Sequence, residues 1–268
     1  MMDIFRFKQT IYAYYHEHRR TFLWRQEPNP YFVFISEVML QQTQTYRVQP
    51  KFDQFITRFA DFNALGNASF ADVLTVWQGL GYNRRALYLQ QAAQQIVTRF
   101  NGQLPKEPEL LQELPGIGPA TARSISAFAF NNPTVFIETN IRTVFIYFFY
   151  HEHHDIHDKQ LIPLIEQALD YHNPREWYYA LMDYGVMLKR TIGNASRKSA
   201  HYAKQSKFEG SDRQLRAAIL RLLLEQQRKT LEEIIAIFKN DQERIPRIVQ
   251  SLLKDNLIQQ QSNYFFLP

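Results

Sequence analysis

The stretch LPGIGPATARSISAFAFNNPTVFIETNIRT, residues 114–143, most constrains what this chain can fold into. The Pro-Gly pair at residues 115–116 ends a short helical pattern over residues 108–114, and Pro119 suits the first turn of a helix over residues 120–130. The pattern predicts a helix–tight turn–helix hairpin, in which glycines permit close approach of a neighbour. The N-terminus of its second helix suits a phosphate oxygen, because it combines free N–H groups with a positive dipole end. A purely structural helical corner is the alternative.

Two carboxylates stand in apolar sequence on either side of this hairpin. Glu37 lies within FISEVML, and Glu138 lies within FIETNIR. Because loss of water raises the pKa of a carboxyl group, Glu37 is predicted to hold a proton near neutral pH and to act as a general acid. A helix is predicted from residue 32 onward, after a loop over residues 24–31, and it places Glu37 and Gln41 on one face. A solvated glutamate on a helix surface is the alternative.

Residues 47–100 are predicted to form two or three helices, including 70–77 and 84–100, and Ile4, Lys8, Ile11 and Tyr15 mark one face of an amphipathic N-terminal helix.

The hairpin and the second carboxylate together resemble a known enzyme superfamily. LPGIGPATA and ETNIR are similar to the LPG[VI]GxxTA and DxN[VI]xR motifs of the helix–hairpin–helix DNA glycosylases. Further runs resemble the MutY-type adenine glycosylases: WR at residues 24–25, PY at 30–31, SEVMLQQTQ at 36–44, WQGLGY at 77–82 and LMDYG at 181–185. These matches keep their order across about two thirds of the chain, and the nine-residue run is far more specific than a short motif.

The resemblance implies a mostly α, two-lobed helix–hairpin–helix glycosylase that hydrolyses the N-glycosidic bond of a flipped base. Glu37 would then protonate the leaving purine, and Glu138 would stabilise the sugar cation in place of the family aspartate. The implied base pocket contains Trp24, Arg25, Leu40, Ala120 and Tyr179. Ala120 stands where strand-cleaving relatives carry a Schiff-base lysine, so a monofunctional enzyme without lyase activity is expected.

Adenine mispaired with guanine or 8-oxoguanine is the predicted target, although two pocket positions depart from that branch. Adenine-specific relatives have serine or tyrosine where this chain has Ala120, and glutamate or glutamine where it has Tyr179. Glu138 also exceeds the family aspartate by one methylene group, which moves its carboxylate by roughly an ångström and is enough to alter the rate. A glycosylase for another damaged or modified base, and a non-catalytic lesion-binding relative, therefore stay open.

The resemblance also implies a set of DNA contacts from the hairpin, the helix junctions and a basic segment. They are Gln41, Gln42, Tyr82, Gly116, Gly118, Thr121, Asn140, Arg142, Lys189, Arg190, Arg197 and Lys198. Tyr82 would enter the duplex as a wedge, and the two glutamines would lie near the orphaned base, because a flipped nucleotide leaves a hole in the stack. A surface aromatic packed on its own loop is the alternative for Tyr82.

The chain contains no cysteine. Most relatives bind an iron–sulfur cluster through four cysteines spaced C-x6-C-x2-C-x5-C, and the equivalent positions here are Lys189, Ser196, Ser199 and Gln205. Thiolates hold such clusters, so no cluster and no other cofactor is expected. The basic segment that replaces the cluster loop is predicted to contact phosphates, with a solvated loop as the alternative. The histidine-rich run HEHHDIHD, residues 151–158, has no recognised ligand spacing, and no metal site is expected there.

Charge and hydrophobicity suggest where the protein works. The net charge of +5 suits a polyanion, and double-stranded DNA with a mismatched or damaged base is the expected partner. There is no apolar run long enough to cross a membrane and no secretory leader, so a monomeric, cytoplasmic, nucleoid-associated protein is expected.

Two domains are predicted. Residues 1–208 form the glycosylase domain, with a six-helix lobe over about residues 25–130 and a second lobe from residues 1–24 and 131–208. Residues 209–268 show three helical patterns and a final hairpin, which resemble a small winged-helix domain. Such domains serve either as DNA-binding or as docking modules, and the sequence leaves that choice open.

Overall fold

The computed structural model describes residues 3–26 and 29–268, and it is mostly helical. The helices before residue 200 are α1 Ile4–His18, α2 Leu23–Gln26, α3 Pro30–Leu40, α4 Thr45–Arg58, α5 Phe62–Asn67, α6 Phe70–Trp77, α7 Arg84–Phe100, α8 Pro108–Gln112, α9 Pro119–Phe130, α10 Thr139–Phe149, α11 Asp158–Ala168, α12 Pro174–Thr191 and a 3₁₀ helix Ala195–Lys198. The predicted fold class is therefore confirmed.

The C-terminal segment mixes helices with short strands. Its elements are α13 Asp212–Gln226, β1 Arg228–Thr230, α14 Leu231–Ile237, a 3₁₀ helix Lys239–Asp241, α15 Ile245–Lys254, β2 Gln259–Gln261 and β3 Tyr264–Phe266. The strands form an antiparallel sheet in the order β1-β3-β2, with Thr230 opposite Tyr264 and Gln261 opposite the same tyrosine. The three predicted helices and the hairpin are present, whereas β1 carries no sequence signal because it is only three residues long. The winged-helix interpretation stays a prediction.

Helix boundaries follow local capping chemistry. Helix α6 has the predicted bounds, because the side chain of Ser69 accepts a hydrogen bond from the backbone N–H of Asp72 at 3.1 Å and satisfies a free donor of the first turn. Helix α7 also has the predicted bounds, and it ends at Asn101, whose left-handed φ of 52° is a common helix stop. The loop predicted over residues 24–31 is wrong at both ends, because α2 and α3 extend into it. Residues 27–28 lie outside the described part.

Two compact units divide the chain. The first unit contains the residues up to Glu37, Pro105–Glu113 and Ile117–Lys204, and the second contains Val38–Leu104, Leu114–Gly116 and Gln205–Pro268. In this division the C-terminal segment groups with residues 38–104, and the predicted domain bounds stay a prediction. Within the second unit, Asp255 pairs with Arg84 of α7 at 3.1 Å and with Arg216 of α13 at 2.6 Å, which ties the C-terminal segment to α7.

The core of the first unit is built from α1, α9, α10 and α12. The face of α1 that enters it carries Phe7, Ile11 and Tyr15, all buried, whereas Ile4 and Lys8, which the pattern placed on the same face, lie at its edge. Phe7 meets Phe145 and Trp177 edge to face at 5.2 and 5.9 Å, an arrangement that aromatic rings prefer. This core fixes the start of α10 and the length of α12, which carry candidate site residues.

The core of the second unit comes from α4 to α7, and its C-terminal part from α13 and α15. Trp77 is fully buried, and its indole N–H donates to the carbonyl of Gly81 at 3.1 Å, which pins the Gly79–Gly81 break against α6. More helices occupy residues 45–100 than the two or three predicted, since α4 and α5 are separate. Among residues 3–26 and 29–268, no helix is both long and apolar enough to span a bilayer.

Candidate active site

Glu37 lies near the C-terminal end of α3 and is held by a serine of the hairpin helix α9. The hydroxyl oxygen of Ser124 lies 2.5 Å from Glu37 Oε2 and 3.0 Å from the carbonyl of Thr121. A hydroxyl has one hydrogen and can also accept. When Glu37 is ionised, Ser124 donates to it. When Glu37 is protonated, the carboxyl group can donate to Ser124, which then donates to Thr121, so both protonation states have a partner.

The environment of Glu37 favours a retained proton. Burial of the carboxyl group raises the pKa of Glu37 to about 7; the Ser124 hydrogen bond opposes this, and the nearby charge of Glu138 adds to it. A general acid works best when its pKa is close to the working pH. The apolar residues beside Glu37 in the sequence are therefore accompanied by burial and a raised pKa, as predicted.

Glu138 is the N-cap of α10. Its Oε1 accepts from the backbone N–H groups of Asn140 at 2.7 Å and Ile141 at 2.8 Å, which satisfies free donors at the helix start. Burial raises the pKa of Glu138, while Lys189 and these two N–H groups favour the charged form. The helix dipole also favours a negative charge at this end. The carboxylate is thus fixed in position by the backbone itself.

A lysine and a glycine of α12 complete the surroundings of Glu138. The amine of Lys189 donates to the side-chain oxygen of Asn140 at 2.6 Å, and Asn140 donates through its amide to Glu138 Oε2 at 3.2 Å. Burial lowers the pKa of Lys189, and the charge of Glu138 opposes that effect. A Cβ on Gly185 would lie 2.7 Å from the carbonyl oxygen of Asn140, so only glycine permits this approach of α12 to α10.

Arg25 and Tyr179 meet beside Glu37. The guanidinium of Arg25 lies 4.4 Å from the ring centre of Tyr179, which is itself stacked on Phe128 at 4.4 Å. Burial raises the pKa of the Tyr179 hydroxyl, with Arg25 opposing and Glu37 adding to the shift. Trp24 is buried and stacks on Phe22 at 4.8 Å. Three of the predicted pocket residues are therefore gathered in the first unit.

A buried aspartate holds Arg25 in place. Asp183 accepts from Arg25 Nη1 at 3.0 Å through both oxygens and from Arg20 Nε at 2.7 Å. Sequence reasoning quoted Asp183 only as part of LMDYG and did not assign it a role. A carboxylate inside an apolar helix pattern was the available signal, as it was for Glu37. The role of Ser124 had a weaker signal, which is its i, i+4 spacing from Ala120 on the predicted helix.

The remaining two predicted pocket residues belong to different units. Ala120 is exposed in the first turn of α9, and Leu40 is half-buried at the end of α3 in the second unit. The methyl side chain of Ala120 has no amine and cannot act as a nucleophile.

The predicted DNA contacts of the first unit fall into exposed and paired side chains. Gly118 is exposed, and the space where its Cβ would stand is open. Arg190 and Arg197 are exposed. Arg142 forms a double hydrogen bond with Asp158, each contact 2.7 Å long, so its guanidinium is already engaged in the first unit. Lys198 donates to the carbonyl of His151, and Thr121 is half-buried and accepts from Ser124.

The predicted DNA contacts of the second unit have unusual backbone conformations. Gln42 and Tyr82 adopt φ angles of 54° and 49°, a region that non-glycine residues rarely enter and that often marks functional sites. Gly116, with φ of 77°, lies so close to Tyr88 that a Cβ would approach its Cβ to 2.9 Å. Gln41 donates to the carbonyl of Gly116 at 3.4 Å. These residues line one surface of the second unit.

Hydrogen bonds hold the buried serines of the loop after α12. Ser196 is buried and donates to the side chain of Asn194 at 2.7 Å, and Ser199 is buried and accepts from the backbone of His201 at 3.1 Å. Oxygen and amine side chains at these positions do not fit an iron–sulfur cluster, which needs thiolates. Among residues 3–26 and 29–268, no group of three or more histidines and acids is arranged to hold a metal.

Comparison with known proteins places the chain among DNA repair proteins. The family model described as "HhH-GPD superfamily base excision DNA repair protein" matches residues 35–169. An adenine DNA glycosylase of Buchnera aphidicola subsp. Baizongia pistaciae is 35% identical over 184 residues, which cover 68% of this chain and 52% of the relative. An adenine DNA glycosylase of Mycolicibacterium smegmatis is 28% identical over 93% of this chain and 92% of the relative. The chain spans about half the length of the Buchnera relatives it matches.

Solved structures share the fold. A thermostable thymine-DNA glycosylase superposes with a TM-score of 0.62 at 22% identity, covering 73% of this chain and 91% of that one. A trapped covalent intermediate of endonuclease III with DNA superposes with a TM-score of 0.55 at 16% identity, covering 71% and 87%. The predicted resemblance to the MutY-type branch is confirmed by the adenine glycosylase relatives. The chain belongs to the HhH-GPD superfamily of base excision DNA repair proteins.

Proposed function

We propose that this protein is a DNA glycosylase that removes adenine mispaired with guanine or 8-oxoguanine from double-stranded DNA. The observation that carries the proposal is the pairing of a protonatable Glu37 with a helix-capping Glu138 in one unit. Two carboxyl groups with opposite protonation tasks are what hydrolysis of a glycosidic bond requires. The relatives are adenine DNA glycosylases, which supports adenine as the base.

The reaction would use the two carboxyl groups in turn. Glu37 gives its proton to a ring nitrogen of the flipped base, which turns the base into a neutral leaving group. Glu138 stays ionised and faces the positive charge that develops on the sugar as the glycosidic bond breaks. Water then adds to the sugar cation, and the proton that it loses returns to the ionised Glu37, directly or through solvent, which leaves an abasic site and restores the acid. Ser124 keeps the Glu37 carboxyl group bonded before and after proton transfer.

The proposal has three further parts, which concern strand cleavage, the iron–sulfur cluster and the place of action. Ala120 has no amine, so the enzyme leaves an abasic site without cutting the strand. The chain lacks cysteine, so the folded protein holds no iron–sulfur cluster. A monomer that acts on genomic DNA would reside in the cytoplasm with the nucleoid.

A substrate panel tests the proposal. The full chain is incubated with duplexes carrying adenine opposite 8-oxoguanine, guanine or cytosine, and with duplexes carrying uracil, hypoxanthine or 8-oxoguanine lesions. Abasic sites are scored by cleavage after alkali. We expect release of adenine opposite guanine or 8-oxoguanine, and no strand cleavage before alkali. Borohydride trapping of a covalent adduct would contradict the monofunctional assignment, and absence of adenine release would contradict the substrate.

A second base class is favoured by one observation. Tyr179 presents an aromatic ring between Phe128 and the Arg25 guanidinium, where the adenine-specific relatives have an amide or a carboxylate. Because Phe128 and Arg25 cover its two faces, the Tyr179 ring would meet a base only through its hydroxyl or its edge, in place of an amide or a carboxylate. Release of a lesion base, with adenine left in place, would support this second candidate.

A further inference from the structure

We propose that helix α13 of the C-terminal segment carries a DNA-binding site, in which its arginines bind the phosphodiester backbone. The site is a cavity of about 1060 Å³ that lies entirely within the second unit. One wall comes from α13 and the residues just before it, and the other carries Gln41, Gln42 and Tyr82. The inference rests on the proposed function in one respect, which is that the polyanion is DNA.

The charge of the lining carries the argument. Among the described residues that line the cavity are six arginines and one acid, Asp255, an excess of five positive charges. The net charge of the whole chain is +5, so the rest of the molecule is neutral in sum. Arginine supplies a planar fork that matches phosphate oxygens, whereas lysine is absent from the lining. A concentrated positive surface of this kind attracts a nucleic acid backbone.

Two faces of α13 have different tasks. Leu215, Ile219 and Leu223 are buried and form the C-terminal core. The residues of α13 that line the cavity are Arg213, Arg216, Ala217, Leu220, Arg221 and Leu224, of which Leu220 is buried and Arg216 is paired with Asp255. The exposed Arg221 and the half-buried Arg213, Ala217 and Leu224 are therefore the part of this face that is available to a ligand.

The arginines of this face differ in how they are held. Arg216 is paired with Asp255 at 2.6 Å. Arg221 is exposed and has no hydrogen bond or ion pair to any described residue. Arg213 donates to the hydroxyl of Tyr82 at 3.0 Å, and its guanidinium lies 5.9 Å from that ring. The predicted wedge residue is therefore in direct contact with α13.

Aromatic side chains complete a nucleic acid surface. Tyr46, exposed to 75%, and Tyr82, exposed to 37%, both line the cavity. Bases stack on exposed aromatic rings while basic side chains follow the backbone, an arrangement common to nucleic acid grooves. Helix α15 lacks this character, because its Arg247 is paired with Asp212 at 2.8 Å.

Salt-dependent binding tests the inference. Binding of the full chain to a fluorescein-labelled undamaged duplex is followed by anisotropy across a range of salt concentrations. Each phosphate contact contributes about 0.9 to the slope of log K against log salt. We expect Arg221→Gln to lower the slope by about 0.9, and Arg213→Gln with Arg221→Gln by about 1.8.

A matched control comes from the same segment. Arg228→Gln removes one exposed positive charge from β1, outside the cavity lining, and should leave the slope unchanged. Arg221→Gln keeps the inference falsifiable if the double variant unfolds, because Arg221 has no described partner to lose. An unchanged slope for Arg221→Gln, or an equal drop for Arg228→Gln, would overturn the site on α13.

Base release is measured with the same proteins to separate the two proposals. If adenine is not released but the slope still depends on Arg221, the proposed function fails and the DNA site stands. If adenine is released and Arg221→Gln leaves the salt slope unchanged, the proposed site on α13 is wrong and the proposed function stands.

Discussion

The chemistry of the first unit depends on a few side chains whose neighbours set their charge. Glu37 is surrounded by apolar residues and one hydroxyl, whereas Glu138 receives two backbone N–H groups and lies near Lys189. Burial raises the pKa of both groups, but Lys189 and the two backbone N–H groups oppose that rise at Glu138, which suits the two carboxyl groups to different tasks in the proposed reaction.

Substitution of either carboxylate should reduce base release without loss of DNA binding. Glu37→Gln removes the transferable proton, and Glu138→Gln removes the negative charge that faces the sugar cation. We expect each to slow single-turnover release of adenine by roughly a hundredfold or more. Binding to the same duplex, measured by anisotropy, should survive, because phosphate contacts dominate affinity. An unaltered rate for Glu138→Gln would remove Glu138 from the mechanism.

Glu138→Asp is a sharper test of the same residue. Aspartate is also a favoured N-cap residue, but its side chain is one methylene shorter, so it would hold its carboxylate closer to the start of α10. If the site has adapted to glutamate, the rate falls. A rate that holds or rises would show that the longer side chain is not required.

The pH dependence should follow Glu37. The acid acts in its protonated form, so with a pKa of about 7 the rate of base release should fall as pH rises through that value. Ser124 donates to the ionised carboxylate and lowers the pKa, so Ser124→Ala should move this alkaline limb to higher pH. Single-turnover rates from mildly acidic to alkaline pH measure the limb. A limb that shifts to lower pH would contradict the role given to Ser124.

At the scale of the elements, the close approach of α12 to α10 brings the site residues together. Gly185 lets the backbone of α12 reach Asn140, and one turn later Lys189 bonds the same asparagine. Asp183 of α12 fixes Arg25, which follows Trp24 in α2. Helix α12 therefore supports both the carboxylate and the pocket wall.

Gly185→Ala should separate these helices. An added methyl group would lie 2.7 Å from the Asn140 carbonyl, and we expect a loss of about 1–3 kcal/mol in the free energy of unfolding, measured in urea. Gly118→Ala is the matched control, because its Cβ would meet open space at an ordinary φ of −84°. Equal stability of the two variants would contradict the packing argument.

At the scale of the whole molecule, hydrogen bonds fix the shape of the loop after α12. Ser196, Ser199 and Asn194 bond one another or the backbone, and the loop pairs with Ile156 through a short parallel bridge.

The purified protein should therefore contain no iron. We expect elemental analysis to find no stoichiometric metal, and thermal unfolding to be unchanged by a chelator, because no cysteine is available as a ligand. Stoichiometric iron, or a lower melting temperature in chelator, would contradict this.

Local pattern was sufficient for much of the fold and for the burial of Glu37. The bounds of α6 and α7 could be predicted because capping and periodicity act over a few residues. The burial of Glu37 and its raised pKa could be predicted because its apolar flanks are contiguous in sequence, whereas the catalytic roles of Glu37 and Glu138 stay predictions. The grouping of the C-terminal segment with residues 38–104 could not be predicted, since it depends on pairs such as Arg84 and Asp255, far apart in sequence.

The partners of the site residues were decided by tertiary packing. Ser124 and Glu37 are 87 residues apart, and Arg25 and Asp183 are 158 apart, so no periodic pattern connects them. Burial and charge at each carboxyl group depend on those distant neighbours, and burial sets the pKa. The sequence thus specifies which groups can react. The packing of α9, α10 and α12 sets the pKa of each carboxyl group, and hence whether it is protonated.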